Sequence, residues 1–261
     1  MALVTPRGHG LGNIPDPRDP RDHKFDRAGL DIRPSQLPNS IDLRPDCPDV
    51  YDQGQLGSCT ANALAAAYDM ERRRQGQEPI GPSRLFIYYN ERAREGTVDT
   101  DAGAYLRDGM KVLAKLGVPP ESEWLYDISR FTVKPSAQCY ADALSNQVLS
   151  YARIKVTSDD TNMRSCLAAG RPFVAGIAVY ASFESDEANR TGVIPVPKPN
   201  EELLGGHAIL VVGYDMAAGY FICRNSWGKR WGDAGYFYLP LAYLTDRELT
   251  SDLWTIKLVE A

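Results

Sequence analysis

The order of textures along the chain limits its fold more than any other feature of the sequence. Helical signals crowd the first half and strand signals the second. Ala61, Leu64, Ala65 and Tyr68 recur at helical spacing behind Ser58, a residue type suited to an N-cap, and Gly76 ends the run. The ERRR at 71–74 is expected to face water. A second helix is predicted after Pro82-Ser83, carrying Leu85, Phe86 and Tyr89, and a third from about Ala102 to Leu116, stopped by Gly117. Beyond about Ser150, Met163–Ala169 reads as one short helix. Pro172–Tyr180, Ala208–Tyr214, Tyr220–Arg224, Gly235–Leu239 and Leu253–Val259 read as strands, rich in Val, Ile, Tyr and Phe. Helices first and strands later predict an α+β chain with two lobes, and a cleft between lobes is a usual place for a site.

Residues 1–36 differ from the rest. They hold few large apolar side chains and many Pro, Asp and Arg, which predicts an extended arm, or a tail without fixed structure. The net charge of −5 gives no reason to expect nucleic acid or an anionic membrane as partner. The longest apolar run, near Phe173–Ala181, is far short of the roughly 20 residues of a membrane helix. The N-terminus lacks the basic cap and apolar core of a signal peptide, so a cytoplasmic place, or secretion by a non-classical route, is expected. Cys47, Cys59, Cys139, Cys166 and Cys223 form no CxxC pair and no zinc spacing, so neither metal nor other cofactor is expected.

Chemistry concentrates in three segments. In DQGQLGSC, Cys59 falls at the first position of a predicted helix, where unsatisfied N–H groups and the helix dipole favour a thiolate. Gly54 and Gly57 allow close backbone approach, so the Cys59 N–H and the Gln53 amide are placed to face a developing oxyanion. In LGGHAILVVGYD, His207 opens an apolar run as a candidate base; His9 and His23 both lie in the arm. In RNSWGKRW, the Asn225 amide oxygen is suited to orient the imidazole through Nδ1–H, leaving Nε2 toward the sulfur, with Trp227 shielding the bond. Taken singly, each has a plain structural reading: a small buried cysteine, a satisfied core histidine, an Asn-Ser turn beside core aromatics. His207 lies 148 positions beyond Cys59, and Asn225 lies 18 beyond that.

These segments together resemble the papain (C1-type) family of cysteine peptidases, and in detail its bacterial members. LPNSIDLRPD resembles the family's mature N-terminal strand, DAGAYLRDGMKVLAKLGVPPESEWLYD its glycine-bearing substrate-binding segment, and RNSWGKRWGDAGYFYL its asparagine segment. The likeness covers about Leu37 to Leu239. It implies a papain-like two-lobed fold: a helical left lobe, a right lobe built as an antiparallel β-barrel-like sheet, and the active-site cleft between them. It implies an arm at 1–36, either a short pro-segment or a cleft cover, and a catalytic domain at 37–261. Leu56 and Thr60 stand where the family's CGSCW has a disulfide cysteine and a tryptophan, so one characteristic disulfide is not expected. The short arm stands in place of a long helical propeptide.

By the same resemblance, Cys59 and His207 form a thiolate–imidazolium pair that cleaves peptide bonds through a thioester, with Gln53 and Asn225 in support. Ala102 and Gly103 would flank the pocket for the second residue before the scissile bond. Gly176, Gly205 and Ala208 would line it, with Gly206 before the histidine and Trp227 beside it. All but the tryptophan are small, which predicts a roomy apolar pocket without a charge selector. A monomer acting on peptide or protein substrates is expected. The competing readings are a Cys-dependent acyl or amide transferase, which more often orients its histidine with aspartate, and a catalytically silent binding protein on this fold. A serine hydrolase is disfavoured because no GxSxG elbow is present.

Overall fold

The computed structural model describes residues 3–27, 30 and 33–260. Residues 1, 2, 28, 29, 31 and 32 of the predicted arm lie outside the described residues. In chain order the strands are β1 (Leu3–Val4), β2 (Gly10–Leu11), β3 (Asn13–Ile14), β4 (Ser40–Asp42), β5 (Ala104–Tyr105), β6 (Val148–Ile154), β7 (Phe173–Tyr180), β8 (Leu203–Asp215), β9 (Tyr220–Arg224), β10 (Tyr236–Pro240) and β11 (Thr250–Val259). The helices are α1 (Cys59–Arg74), α2 (Arg84–Glu95), α3 (Leu106–Lys115), α4 (Ala137–Ala143), α5 (Thr161–Ala168), α6 (Asp186–Thr191) and α7 (Leu241–Thr245). The fold is α+β and papain-like, with a helical region and one large antiparallel sheet of order β10-β9-β8-β7-β11-β6, in which β4 also pairs with β8. No described helix is long and apolar enough to cross a membrane.

Strand β8 explains why the sequence around His207 is so apolar. Ala208, Leu210 and Val212 point into a core shared with α1, α2 and α3. Ile209 and Val211 point into a second core with Phe183, Trp227, Trp231, Phe237 and Tyr243. A strand covered on both faces reads as a continuous hydrophobic run, not as an alternation. Helix α1 is hemmed in similarly: every residue from Cys59 to Glu71 is buried, and its many alanines let neighbours approach closely. Glu71 therefore does not face water as expected. It is buried and accepts two hydrogen bonds from Arg74, at 2.6 and 2.8 Å.

Two boundaries move because of distant partners. Helix α3 starts at Leu106, because Ala104 and Tyr105 pair as a strand with Asn13 and Ile14 of the arm. Strand β8 starts at Leu203, five residues early, because Gly205 and Gly206 pair with Val179 and Ala178. The arm is docked along much of its length: β1 and β2 form a hairpin, β3 lies parallel to β5, and His23 and Phe25 bond the backbone of Arg153. All five cysteines are free.

Candidate active site

Cys59 heads α1 and is fully buried. Burial pushes its thiol up to about 12, against the backbone N–H groups of Ala208, Gly12 and Thr60, which favour the anion. Ser58 occupies the N-cap position, but its side chain does not cap the helix. The preceding Gly57 N–H donates to the carboxylate of Asp101, at 3.0 Å.

His207 adjoins Ala208 on β8 and is also fully buried. Its Nε2 lies 2.8 Å from Asn225 Oδ1. That oxygen also accepts from the Ser226 N–H at 2.8 Å, so it is an acceptor and Nε2 carries the proton. Nδ1 is then the nitrogen with the free lone pair, and no group among the described residues partners it. This reverses the expected roles of the two ring nitrogens. The physical reason is that Asn225, just after β9, meets the ring at Nε2, which sequence spacing does not encode. A buried acceptor without a partner is costly in a core and is useful as a base. Burial lowers the imidazole to about 4, with His9 adding to the effect and the Asn225 hydrogen bond opposing it. The ring packs 4.7 Å from Trp227.

Gln53 sits on the loop before α1, fully buried. Ser226 Oγ donates to its Oε1 at 2.6 Å, which fixes the amide so that Nε2 turns inward. Nε2 donates to the carbonyls of Leu56 at 2.8 Å and Gly10 at 3.0 Å. A loop, the start of α1, strand β8 and the turn after β9 thus bring Gln53, Cys59, His207 and Asn225 to one buried locus. The family model for papain family cysteine protease matches residues 37–245.

The chain belongs to the papain family of cysteine proteases.

Its relatives agree. An uncharacterized peptidase C1-like protein of Acanthamoeba polyphaga mimivirus is 40% identical over 251 residues, covering 92% of this chain and 81% of that protein. A crystal structure of xylellain, a cysteine protease from Xylella fastidiosa, is 43% identical, covers 98% of each chain and has a TM-score of 0.88. A digestive procathepsin L2 from Tenebrio molitor larval midgut shares the fold at 19% identity, with a TM-score of 0.74 over 99% of this chain and 85% of that one. The protein is a hydrolase of this family, and its relatives include viral as well as bacterial members.

In this protease the arm meets most of the residues expected to bind substrate. A Cβ on Gly103 would overlap the Gly12 carbonyl, and one on Gly206 the Asn13 carbonyl. One on Gly176 would touch Asn13 Nδ2 and Ser251 Oγ, and Gly205 faces Leu3 and Leu11. Trp227 stacks on His9, whose ring centroid lies 4.4 Å away, and packs at a tilt against His207. Ala208 turns its backbone toward the sulfur, while Ala102 is half-exposed beside Gly103. The Gly12 backbone reaches the thiol itself.

The sequence reading missed several participants. Ser226 carried a signal, since it follows Asn225 directly. Ser251, Tyr126, Gly10 and Gly12 carried none, because each matters only through a partner remote in the chain. Among the described residues, no group of three or more His, Cys, Asp or Glu is arranged to hold a metal ion.

Proposed function

We propose that this protease is an endopeptidase whose nucleophile is Cys59 and whose base is His207. His207 takes the Cys59 proton at Nδ1, the sulfur adds to a peptide carbonyl, and His207 returns that proton to the departing amine as the C–N bond breaks. Water, deprotonated by His207, then cleaves the thioester and restores the thiol. Gln53 Nε2 and the Cys59 N–H stabilise the oxyanion, and Asn225 holds the ring. The observation that carries this reading is the Nε2–Asn225 hydrogen bond, which leaves Nδ1 bare beside the strand position that touches the sulfur. Asparagine at this place, and not aspartate, favours hydrolysis over the transferase alternative.

We further propose that the docked arm holds the enzyme latent. The Gly10 carbonyl occupies Gln53 Nε2, where a substrate oxyanion belongs. With the arm in place burial raises the thiol to about 12 and lowers the imidazole to about 4, which disfavours the reactive ion pair. Withdrawal of the arm lets water in and moves the two values toward one another. Because β3 runs parallel to β5, the arm has a defined direction in the cleft, set by Asn13 against Ala104 and Ile14 against Tyr105.

The test is direct. An epoxide thiol inactivator should modify Cys59 alone among the five cysteines once the arm is displaced. Cys59→Ala should abolish hydrolysis of fluorogenic peptides; turnover retained by that variant refutes the assignment.

A further inference from the structure

We infer that Tyr126 is a positioning residue that ties the two walls of the oxyanion site together. This rests on the proposed roles of Gln53 and Cys59. The Tyr126 hydroxyl lies 3.0 Å from the Gln53 carbonyl oxygen and 2.6 Å from Ser58 Oγ. It therefore bridges the residue that supplies the amide donor and the residue directly before the nucleophile.

The direction of every bond in this bridge follows from its ends. Arg84 can only donate, and its Nη1 lies 3.1 Å from Asn62 Oδ1, which fixes the Asn62 amide. Asn62 Nδ2 then donates to Ser58 Oγ at 3.1 Å and to the Ser58 carbonyl at 2.9 Å. At the far end the Gln53 carbonyl can only accept, so Tyr126 donates to it. Ser58 must then donate to Tyr126. The result is one ordered relay, Arg84 to Asn62 to Ser58 to Tyr126 to Gln53, in which each hydroxyl both accepts and donates.

The relay is held from outside. The Arg84 guanidinium lies 4.0 Å from the Tyr126 ring centroid and 4.5 Å from that of Tyr51. Glu121 fixes the other edge of the guanidinium with bonds of 2.7 and 2.6 Å. Burial pushes the Tyr126 phenol up to about 12, so it stays a donor throughout the working range of a thiol enzyme.

Ser58 shows what the relay costs. A serine at an N-cap ordinarily bonds a backbone N–H of the first turn and so stabilises the helix. Here it caps nothing and gives its hydroxyl to Tyr126. The first N–H groups of α1 are left without that side-chain partner, beside the place where negative charge develops. The Gln53 side is fixed twice more, through Ser226 Oγ at 2.6 Å and through its own N–H to the Ser226 carbonyl at 2.9 Å. Among the described residues, no side chain but Tyr126 ties Ser58 to the Gln53 backbone by hydrogen bonds.

The experiment compares Tyr126→Phe with its parent, both carrying Gly12→Val so that the arm does not limit access. Since deleting an oxyanion donor costs about 100-fold or more in rate, misplacing one should lower kcat by about 10-fold. KM should stay within roughly twofold, the signature of an interaction made in the transition state. Alkylation of Cys59 by iodoacetamide, which builds no oxyanion, should proceed at the parent's rate. A peptide aldehyde, which does build a tetrahedral adduct, should bind more weakly by the factor lost in kcat. Ser58→Ala breaks the same relay from the other side and gives a second reading if Tyr126→Phe does not fold. The double variant should be no slower than Tyr126→Phe alone. Unchanged kcat, or kcat and alkylation falling together, overturns the inference alone. A parent whose Cys59 is freely alkylated but which turns over no peptide overturns it together with the proposed site.

Discussion

The side-chain amide of Gln53 donates to the carbonyl of Gly10, at 3.0 Å, although 43 positions separate them. The donor proposed for the oxyanion is thus occupied by the protein's own backbone. Two neighbouring contacts reinforce it: the Gly10 N–H donates to the Gly54 carbonyl at 3.0 Å, and the Ala104 N–H donates to the Gly12 carbonyl at 2.8 Å.

Gly12→Val should open the cleft. A side chain at Gly12 would overlap the backbone of Gly57, which has no rotamer to yield. Weakening the arm's docking by about 1.4 kcal/mol should raise peptide turnover by about tenfold over the unmodified chain. Turnover assayed with a short fluorogenic peptide decides this, and rates equal to those of the unmodified chain would remove any gating role from the arm.

Gln53→Ala should cost about 100-fold in kcat with a far smaller effect on KM. Ser226→Ala should do less, on the order of tenfold, since it frees the amide to turn without deleting it. Steady-state kinetics in the Gly12→Val chain would check the ranking; a larger loss from Ser226→Ala than from Gln53→Ala contradicts it.

Asn225→Ala takes the acceptor away from His207 Nε2. The imidazole then has no reason to keep its proton on Nε2, and the fraction with Nδ1 free falls. A loss of about 10- to 100-fold in kcat/KM is expected, in the range of a mis-set general base. Ring nitrogen shifts measured by NMR should show the tautomer change; an unaltered Nε2–H resonance would count against the assignment.

The arm should grip more weakly as pH rises. Asp16 is held by the Arg107 N–H at 3.0 Å and Trp254 Nε1 at 2.9 Å, and its own N–H donates to Asp252. Burial, and then the charge of Asp252, push its carboxyl up to about 7. Burial raises Asp252 and Glu95 as well, Glu95 to about 7. Arg153, ion-paired to Asp252 and Asp22, and Arg107, ion-paired to Asp22, face the same cluster. The sign follows from proton uptake. A free arm has Asp16 near 4 and a docked arm has it near 7, so the docked form binds more protons between those values. Docking is therefore strongest toward the bottom of that window and declines as pH rises through it to about 7. Asp22 acts oppositely: although burial opposes it, Arg107 and Arg153 hold its carboxyl below the usual range, so its contribution is lost in stronger acid. The ratio of Cys59 alkylation rates, unmodified chain over Asp16→Asn, cancels the titration of the thiol. It should climb with pH and level off above about 7, whereas a flat ratio would contradict the mechanism.

What the sequence by itself determined is the local and the periodic. Cys59 at a helix start, the helices α1 and α2, the strands around His207 and Asn225, and the family motifs all follow from residue spacing, turn residues and short-range propensity. Tertiary structure decided whatever depends on a partner far along the chain. It decided which nitrogen of His207 bonds Asn225, that Ser58 serves Tyr126 in place of its own helix, and that Glu71 is buried. It decided too that Gly10, Gly12 and Asn13 lie against Gln53, Gly57 and Gly206. A glycine in a Pro-rich arm has no signature of the backbone it will touch. The contact exists only because the arm packs against both β5 and β8, and that packing is a long-range event with no local cause.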